Sequence, residues 1–156
     1  MCSNGGTKKS RNFAFNPENM VYITRREHFN AAHRLFRPEF SDEENLRVFG
    51  KCSNPNWHGH NYILYVTVKG DMNPDTGFVI NLSALSELIR LRVVDKLDHK
   101  NMNLEVDFMQ GRLASTENLA VAIWGELEAG VREMGGTLHS VKVEETENNS
   151  VEYFGT

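Results

Sequence analysis

The chain has 156 residues, of which 40% are hydrophobic, 24% charged and 10% aromatic. That is one domain's worth of ordinary globular sequence, and no run approaches the ~18 apolar residues of a membrane helix. A formal net charge of −4 speaks against a general nucleic-acid binder, and two cysteines exclude a disulfide scaffold.

Residues 1–17 are rich in Ser, Asn and Gly, with Lys8, Lys9 and Arg11. They read as a disordered tail, with no apolar stretch of the kind a secretory signal carries. Cys2 and Cys52 are expected to be reduced thiols of a cytoplasmic protein. Residues 18–156 read as a single domain.

Within it, Val21 to His33 alternates as a strand, with Val21, Ile23, Phe29, Ala31 and His33 on one face. Residues 37–55 form a long polar loop with room for one helical turn. His58 to Val68 is the second strand, with His58, His60, Tyr62, Leu64, Val66 and Val68 on one face. Asn81 caps a helix running to about Leu97, with a stripe of Leu82, Leu85, Ile89 and Val93. Ser115 caps a second helix, Thr116 to Met134, stopped by Gly135 and Gly136. Strands Leu138 to Thr146 and Val151 to Phe154 complete a ββααββ order. The expected class is α+β, a four-stranded antiparallel sheet with both helices on one face.

Period two puts His58 and His60 on the same side of their strand, and His33 ends the preceding strand on its apolar face. If the strands pair, the three imidazoles converge. Three neutral imidazoles suit zinc and leave a fourth tetrahedral position open, as a catalytic site requires. The alternative is a set of ordinary polar histidines at a sheet edge. His28 falls on the face opposite His33, and His139 on the apolar face of its strand; both read as structural or surface histidines.

Cys52 lies six positions before His58 and beside Lys51. A thiolate is favoured next to a cation or metal, so Cys52 could be a base or nucleophile, a fourth zinc ligand or an inert thiol. Asp98 precedes His99, an arrangement weakened by the divergence of adjacent side chains; it gains weight if Asp98 orients His99 toward a thiol. Alternation through Val141 and Val143 points Glu145 to the apolar side and Glu144 to solvent. A half-buried carboxylate needs a partner, and parallel N–H donors of a ligand would serve. A strand-end slip or bulge that exposes Glu145 is the alternative.

Taken together, FNAAHRL, SDEENLRVFGKCSNPNWHGHNY, DTGFVINL, LDHKN, STENLAVAIW and VEETENN closely resemble the 6-pyruvoyl-tetrahydropterin synthase family. The resemblance runs along nearly the whole chain after the tail. It implies a tunnelling fold in which trimers close a β-barrel and two trimers stack as a homohexamer. It implies one zinc per subunit on His33, His58 and His60, with Mg2+ as a possible companion of the substrate triphosphate. It implies Cys52 as the base, Asp98 and His99 completing a triad across a subunit interface, and Glu145 as the pterin anchor. Thr116 and Glu117 match a segment lining the pterin pocket, and Arg34, Lys51 and Lys100 are candidate triphosphate ligands.

The implied reaction converts 7,8-dihydroneopterin triphosphate to 6-pyruvoyl-5,6,7,8-tetrahydropterin with elimination of triphosphate, a step of tetrahydrobiopterin biosynthesis. The related 6-carboxy-5,6,7,8-tetrahydropterin synthase of queuosine biosynthesis is the nearest alternative. That branch typically places three residues between its cysteine and H-G-H, where this chain has five, Ser53 to Trp57. A non-catalytic zinc-binding structural module is the alternative of another class. Two positions depart from the family pattern: Trp57 stands where a small residue is usual, and Glu144 where an aromatic is usual.

Overall fold

The computed structural model describes residues 20–156, so the expectation for residues 1–17 lies outside the described chain. Two long strands, β1 (Met20–His33) and β2 (His58–Asp71), pair antiparallel over their full length, with His33 opposite His58. The buried side chains of both strands recur at every second position, Phe29, Ala31 and His33 on β1 and Tyr62, Leu64, Val66 and Val68 on β2. The opposite positions of β1, Tyr22, Thr24, Arg26 and His28, are exposed.

Between them lies α1 (Asp42–Phe49), eight residues long where a single turn was expected. Its signal is a capping box. Ser41 accepts from the Glu44 N–H at 3.2 Å, and the Glu44 carboxylate accepts from the Ser41 N–H at 3.3 Å. A 3-10 turn, Gly50–Ser53, then carries Cys52.

Helix α2 begins at Leu82, capped by the Asn81 side chain, which accepts from the Ser83 and Ala84 N–H groups. It runs as α-helix to Ile89, as π-helix through Arg90–Val94, and ends in a turn at Asp95–Leu97. Leu85, Ile89, Val93 and Leu97 are all fully buried. A spacing of four drifts by about 40° per step on an ordinary α-helix; the wider π turns take up the drift and hold the stripe on the sheet. Leu82, expected in that stripe, is 48% exposed at the helix mouth.

A two-residue strand, β3 (Lys100–Asn101), pairs parallel with Ala31 and Ala32. Helix α3 (Thr116–Glu133) is capped by Ser115 and buries Leu119, Ile123, Leu127 and Val131. Gly135, at φ 88°, ends it. Strands β4 (Thr137–Thr146) and β5 (Asn149–Tyr153) complete an open sheet of order β3-β1-β2-β4-β5. Among the described residues the sheet is thus mixed and five-stranded, and the helices number three. The α+β class holds; the strand count and the purely antiparallel pattern do not. The added strand arises from a connector that hydrogen-bonds back onto β1, which its polar sequence did not announce.

Two β-bulges on β4 decide where its side chains point. Thr67 faces Ser140 and Val68 faces Leu138, so His139 is an extra residue. It is turned to the outer face, its ring 4.6 Å from Tyr22 and 5.7 Å from Phe154. The apolar-face position expected for His139 is therefore corrected. The second bulge makes Glu145 the extra residue against β5, between Glu144 opposite Ser150 and Thr146 opposite Asn149.

Candidate metal centre and the cavities around it

The strand register brings His33, His58 and His60 together, with their candidate ligand atoms all within 4.8 Å of one another. His33 is 1% exposed. Its Nδ1 lies 2.8 Å from the Ala114 carbonyl. A carbonyl can only accept, so Nδ1 carries the proton and Nε2 keeps its lone pair. This is the usual way a second partner fixes the tautomer of a metal-binding histidine. His58 has a buried Nδ1 with no hydrogen-bond partner, which suits a group that awaits a ligand.

Burial, reinforced by the neighbouring histidines, holds His33 and His58 below the ordinary histidine pKa, so both are neutral near pH 7. Neutral imidazole is the form that binds a metal. The three side chains therefore fit zinc or a similar borderline ion. Among the described residues this is the one group of His, Cys, Asp or Glu arranged in that way.

Gly59 between the two histidines has a packing reason. A Cβ there would sit 2.8 Å from the Ala31 carbonyl oxygen, a backbone atom of the paired strand that cannot swing aside. Tyr62, two positions after His60 on the same face, brings its hydroxyl to 3.4 Å from His33 Nε2. Burial first, then the charge of Glu145, pushes its phenol far above the usual range, so it stays protonated. The period of two that puts Tyr62 on the face of His58 and His60 also carries the signal for its contact with the histidine cluster.

Glu145 is on the helix-facing side of the sheet despite its bulge. Its Oε1 accepts from the Thr116 hydroxyl at 2.9 Å and lies 3.6 Å from His33 Nε2 and 3.8 Å from His60 Nε2. Glu144 takes the other face, bonded to Lys142 Nζ at 2.9 Å and approached by the Tyr65 hydroxyl at 3.4 Å. The expected division between the two carboxylates is what the structure contains.

Cys52 sits on a wall shared by two cavities. One, of about 800 Å³, is lined by Arg34, Lys51, Cys52, His58 and His60 among others. The other, of about 490 Å³, is lined by Cys52, Thr116, Glu117 and Glu145 among others. The Cys52 carbonyl accepts from the Leu35 N–H at 2.8 Å, and Arg34 Nε donates to the Ser53 carbonyl at 2.7 Å. Arg34 thereby braces the cysteine turn, with its guanidinium 4.3 Å above the Phe36 ring. Trp57 closes the loop at φ 65°, a conformation that favours glycine and gives a backbone reason for a small residue at this position.

Asp98 and His99 do meet, contrary to the expectation for neighbouring side chains. Asp98 Oδ2 lies 2.9 Å from His99 Nδ1. His99 adopts φ 59°, a left-handed conformation to which His is more tolerant than most residues. The pair is anchored to β1 by two bonds. The Asn30 N–H donates to Asp98 Oδ1 at 2.8 Å, and the His99 N–H donates to the Asn30 carbonyl at 2.7 Å. The first of these, then the His99 contact, lowers the Asp98 pKa and keeps it ionised. His99 and Lys100 line a third cavity, with His60 but without Cys52; Lys100 is engaged by Glu105 at 3.5 Å. Within one chain, therefore, His99 and Cys52 line different cavities.

An α+β domain carrying three histidines on paired strands that could hold a metal ion, with a thiol and a carboxylate beside them, has the site of an enzyme. Its family is shown by comparison: the model of the 6-pyruvoyl tetrahydropterin synthase family matches residues 22–156, and the chain belongs to that family. The human 6-pyruvoyl tetrahydrobiopterin synthase is 47% identical over 133 residues, covering 85% of this chain and 90% of that one. The solved Caenorhabditis elegans 6-pyruvoyl tetrahydropterin synthase superposes with a TM-score of 0.82 at 36% identity, covering 88% of this chain and 96% of that one. A Bacillus subtilis 6-carboxy-5,6,7,8-tetrahydropterin synthase is 35% identical over 105 residues, covering 65% of this chain and 62% of that one.

Proposed function

We propose that this chain is a zinc-dependent lyase that converts 7,8-dihydroneopterin triphosphate to 6-pyruvoyl-5,6,7,8-tetrahydropterin and inorganic triphosphate. The observation that carries the reading is the meeting of His33, His58 and His60 with Glu145 within 3.8 Å of two of them, beside a cysteine on the cavity wall. The match to synthases of that name over most of the chain supports it.

Zinc, held by the three histidines, would act as a Lewis acid toward the side-chain oxygens of the substrate and acidify the neighbouring C–H bonds. Cys52 would remove a side-chain proton, and His99, oriented by Asp98, would relay protons. Because the proton shifts move reducing equivalents from side chain to ring, no nicotinamide is required. Glu145, oriented by Thr116, would accept the pterin amino and ring N–H groups as a bidentate pair. Glu117 lines the same cavity. Lys51 lines the larger cavity and would meet the triphosphate there, and any Mg2+ would arrive with that triphosphate.

The separation of His99 from Cys52 within one chain supports a site assembled between subunits. Trimers would close the open sheet into a barrel, and two trimers would form the hexamer, in the cytoplasm. No helix among the described residues is long and apolar enough to cross a membrane.

Incubation of the zinc-loaded protein with 7,8-dihydroneopterin triphosphate tests the reading. Release of triphosphate together with the pyruvoyl product supports it. Acetaldehyde and the 6-carboxy product would assign the chain to the carboxy-forming reaction, and no turnover would leave a zinc-binding structural module.

A further inference from the structure

Glu145 Oε1 stands at distances that hydrogen bonding does not explain. At 3.6 Å from His33 Nε2 and 3.8 Å from His60 Nε2 it is too far to accept a proton from either ring. Two ligands of one tetrahedral zinc, each about 2.0–2.1 Å from the ion, lie about 3.4 Å apart. The carboxylate oxygen is thus spaced from two of the histidines much as a fellow ligand would be.

Three further features point the same way. Glu145 faces inward at the end of a strand whose neighbouring acid, Glu144, bonds Lys142 on the other face. The Thr116 hydroxyl, on a residue only 8% exposed, donates to Oε1. It occupies one lone pair of that oxygen and leaves the other for a second partner. Three neutral imidazoles leave a divalent ion's charge uncompensated, and Glu145 is the carboxylate poised against them.

We infer that Glu145 closes the fourth position of the metal when the pterin pocket is empty and leaves it when a pterin ring arrives to bond the same carboxylate. The inference rests on the pterin-anchor role proposed above and gives Glu145 a second one. The metal is shielded until the substrate ring is seated, and ring binding opens the position that the substrate side chain must reach. The exchange makes or breaks only coordination and hydrogen bonds, so no further reactant is needed.

The test replaces zinc with cobalt(II), whose visible spectrum reports its ligands, and titrates the loaded protein with azide as a probe of the fourth position. The wild type is expected to resist azide, and Glu145→Gln to take it at least about tenfold more tightly with a shifted spectrum, the order that changes around a metal site produce. Glu145→Asp keeps the negative charge but withdraws the oxygen by one methylene. It is expected to behave like Glu145→Gln. An Asp variant that resists azide as the wild type does would reduce the effect to charge repulsion and overturn the inference, as would equal azide affinities in all three proteins.

Saturating unsubstituted pterin should make the wild-type metal accessible to azide; no change would overturn the exchange. The underlying reading fails separately. A protein that releases no triphosphate from 7,8-dihydroneopterin triphosphate but shows the azide difference keeps the metal contact and loses the lyase assignment.

Discussion

The Nδ1 of His33 donates to the carbonyl of Ala114 at 2.8 Å, across 81 residues of sequence. One bond thus ties the end of β1 to the approach of α3 and aims Nε2 at the other two histidines. His33→Ala should lose the metal and also leave the buried Ala114 carbonyl unpaired, a destabilisation of about 1–3 kcal/mol. His58 is only partly buried, so His58→Ala should release the metal with little change in thermal unfolding. Metal content by atomic absorption and unfolding by calorimetry check both; stoichiometric zinc in His58→Ala would refute the ligand set.

The metal-free protein should lose stability in mild acid. Burial lowers the pKa of His33 and His58 from 6.5 in the folded state. Below that value the unfolded chain binds protons that the folded chain refuses. Stability is therefore fully present above about pH 6.5 and falls as the pH drops toward the lowered folded values. Denaturant titrations of the apoprotein from pH 8 to pH 5 measure this, and a midpoint rising toward pH 5 would contradict it.

Gly59→Ala should separate geometry from ligand chemistry. The added methyl would meet the Ala31 carbonyl at 2.8 Å, so β1 and β2 must part where His33 faces His58. All three histidines remain, yet zinc affinity should fall by about tenfold or more. Chelator competition reads the change; unaltered affinity would mean that the strand pair tolerates the insertion.

Cys52→Ala should retain fold and zinc and lose turnover. His99→Ala should do likewise if it relays protons. Because the two residues line different cavities within one chain, mixing the two inactive variants under conditions that exchange subunits should restore activity at up to about a quarter of the sites in a symmetric ring. No recovery despite proven exchange would place both residues in the same subunit's site.

The two adjacent carboxylates make an internal control. Glu145→Ala should weaken pterin binding, measured by fluorescence quenching. Glu144→Ala, which frees Lys142 and Tyr65 on the opposite face, should leave it near the wild-type value. The reverse order of sensitivities would mean that the strand presents the other face to the pocket.

Several of these relationships were legible because they rest on local periodicity. Alternation put His58, His60 and Tyr62 on one side of β2, and the same rule separated Glu144 from Glu145. The S-x-x-E capping box of α1 was equally local, so its helix could have been found at Ser41 and Glu44. Other features were beyond alternation, because they depend on which strand lies alongside. The bulge that turns His139 outward exists only against Thr67 and Val68. The pairing of Asp98 with His99 requires a left-handed backbone, held by bonds to Asn30 that lies 68 residues away.

The sequence alone determined the chemistry on offer: three histidines at strand positions that could converge, one cysteine six positions before His58, one acid on an apolar face, and a string of motifs resembling one family. It also determined the α+β class, because side-chain period is a property of neighbouring residues. Only the tertiary structure decided that β1 and β2 pair with His33 opposite His58, that Ala114 fixes the tautomer of His33, and that Glu145 comes to rest against two of the histidines. Those facts depend on distances between residues far apart in the chain, and such distances are set by the packing of the whole sheet against its helices.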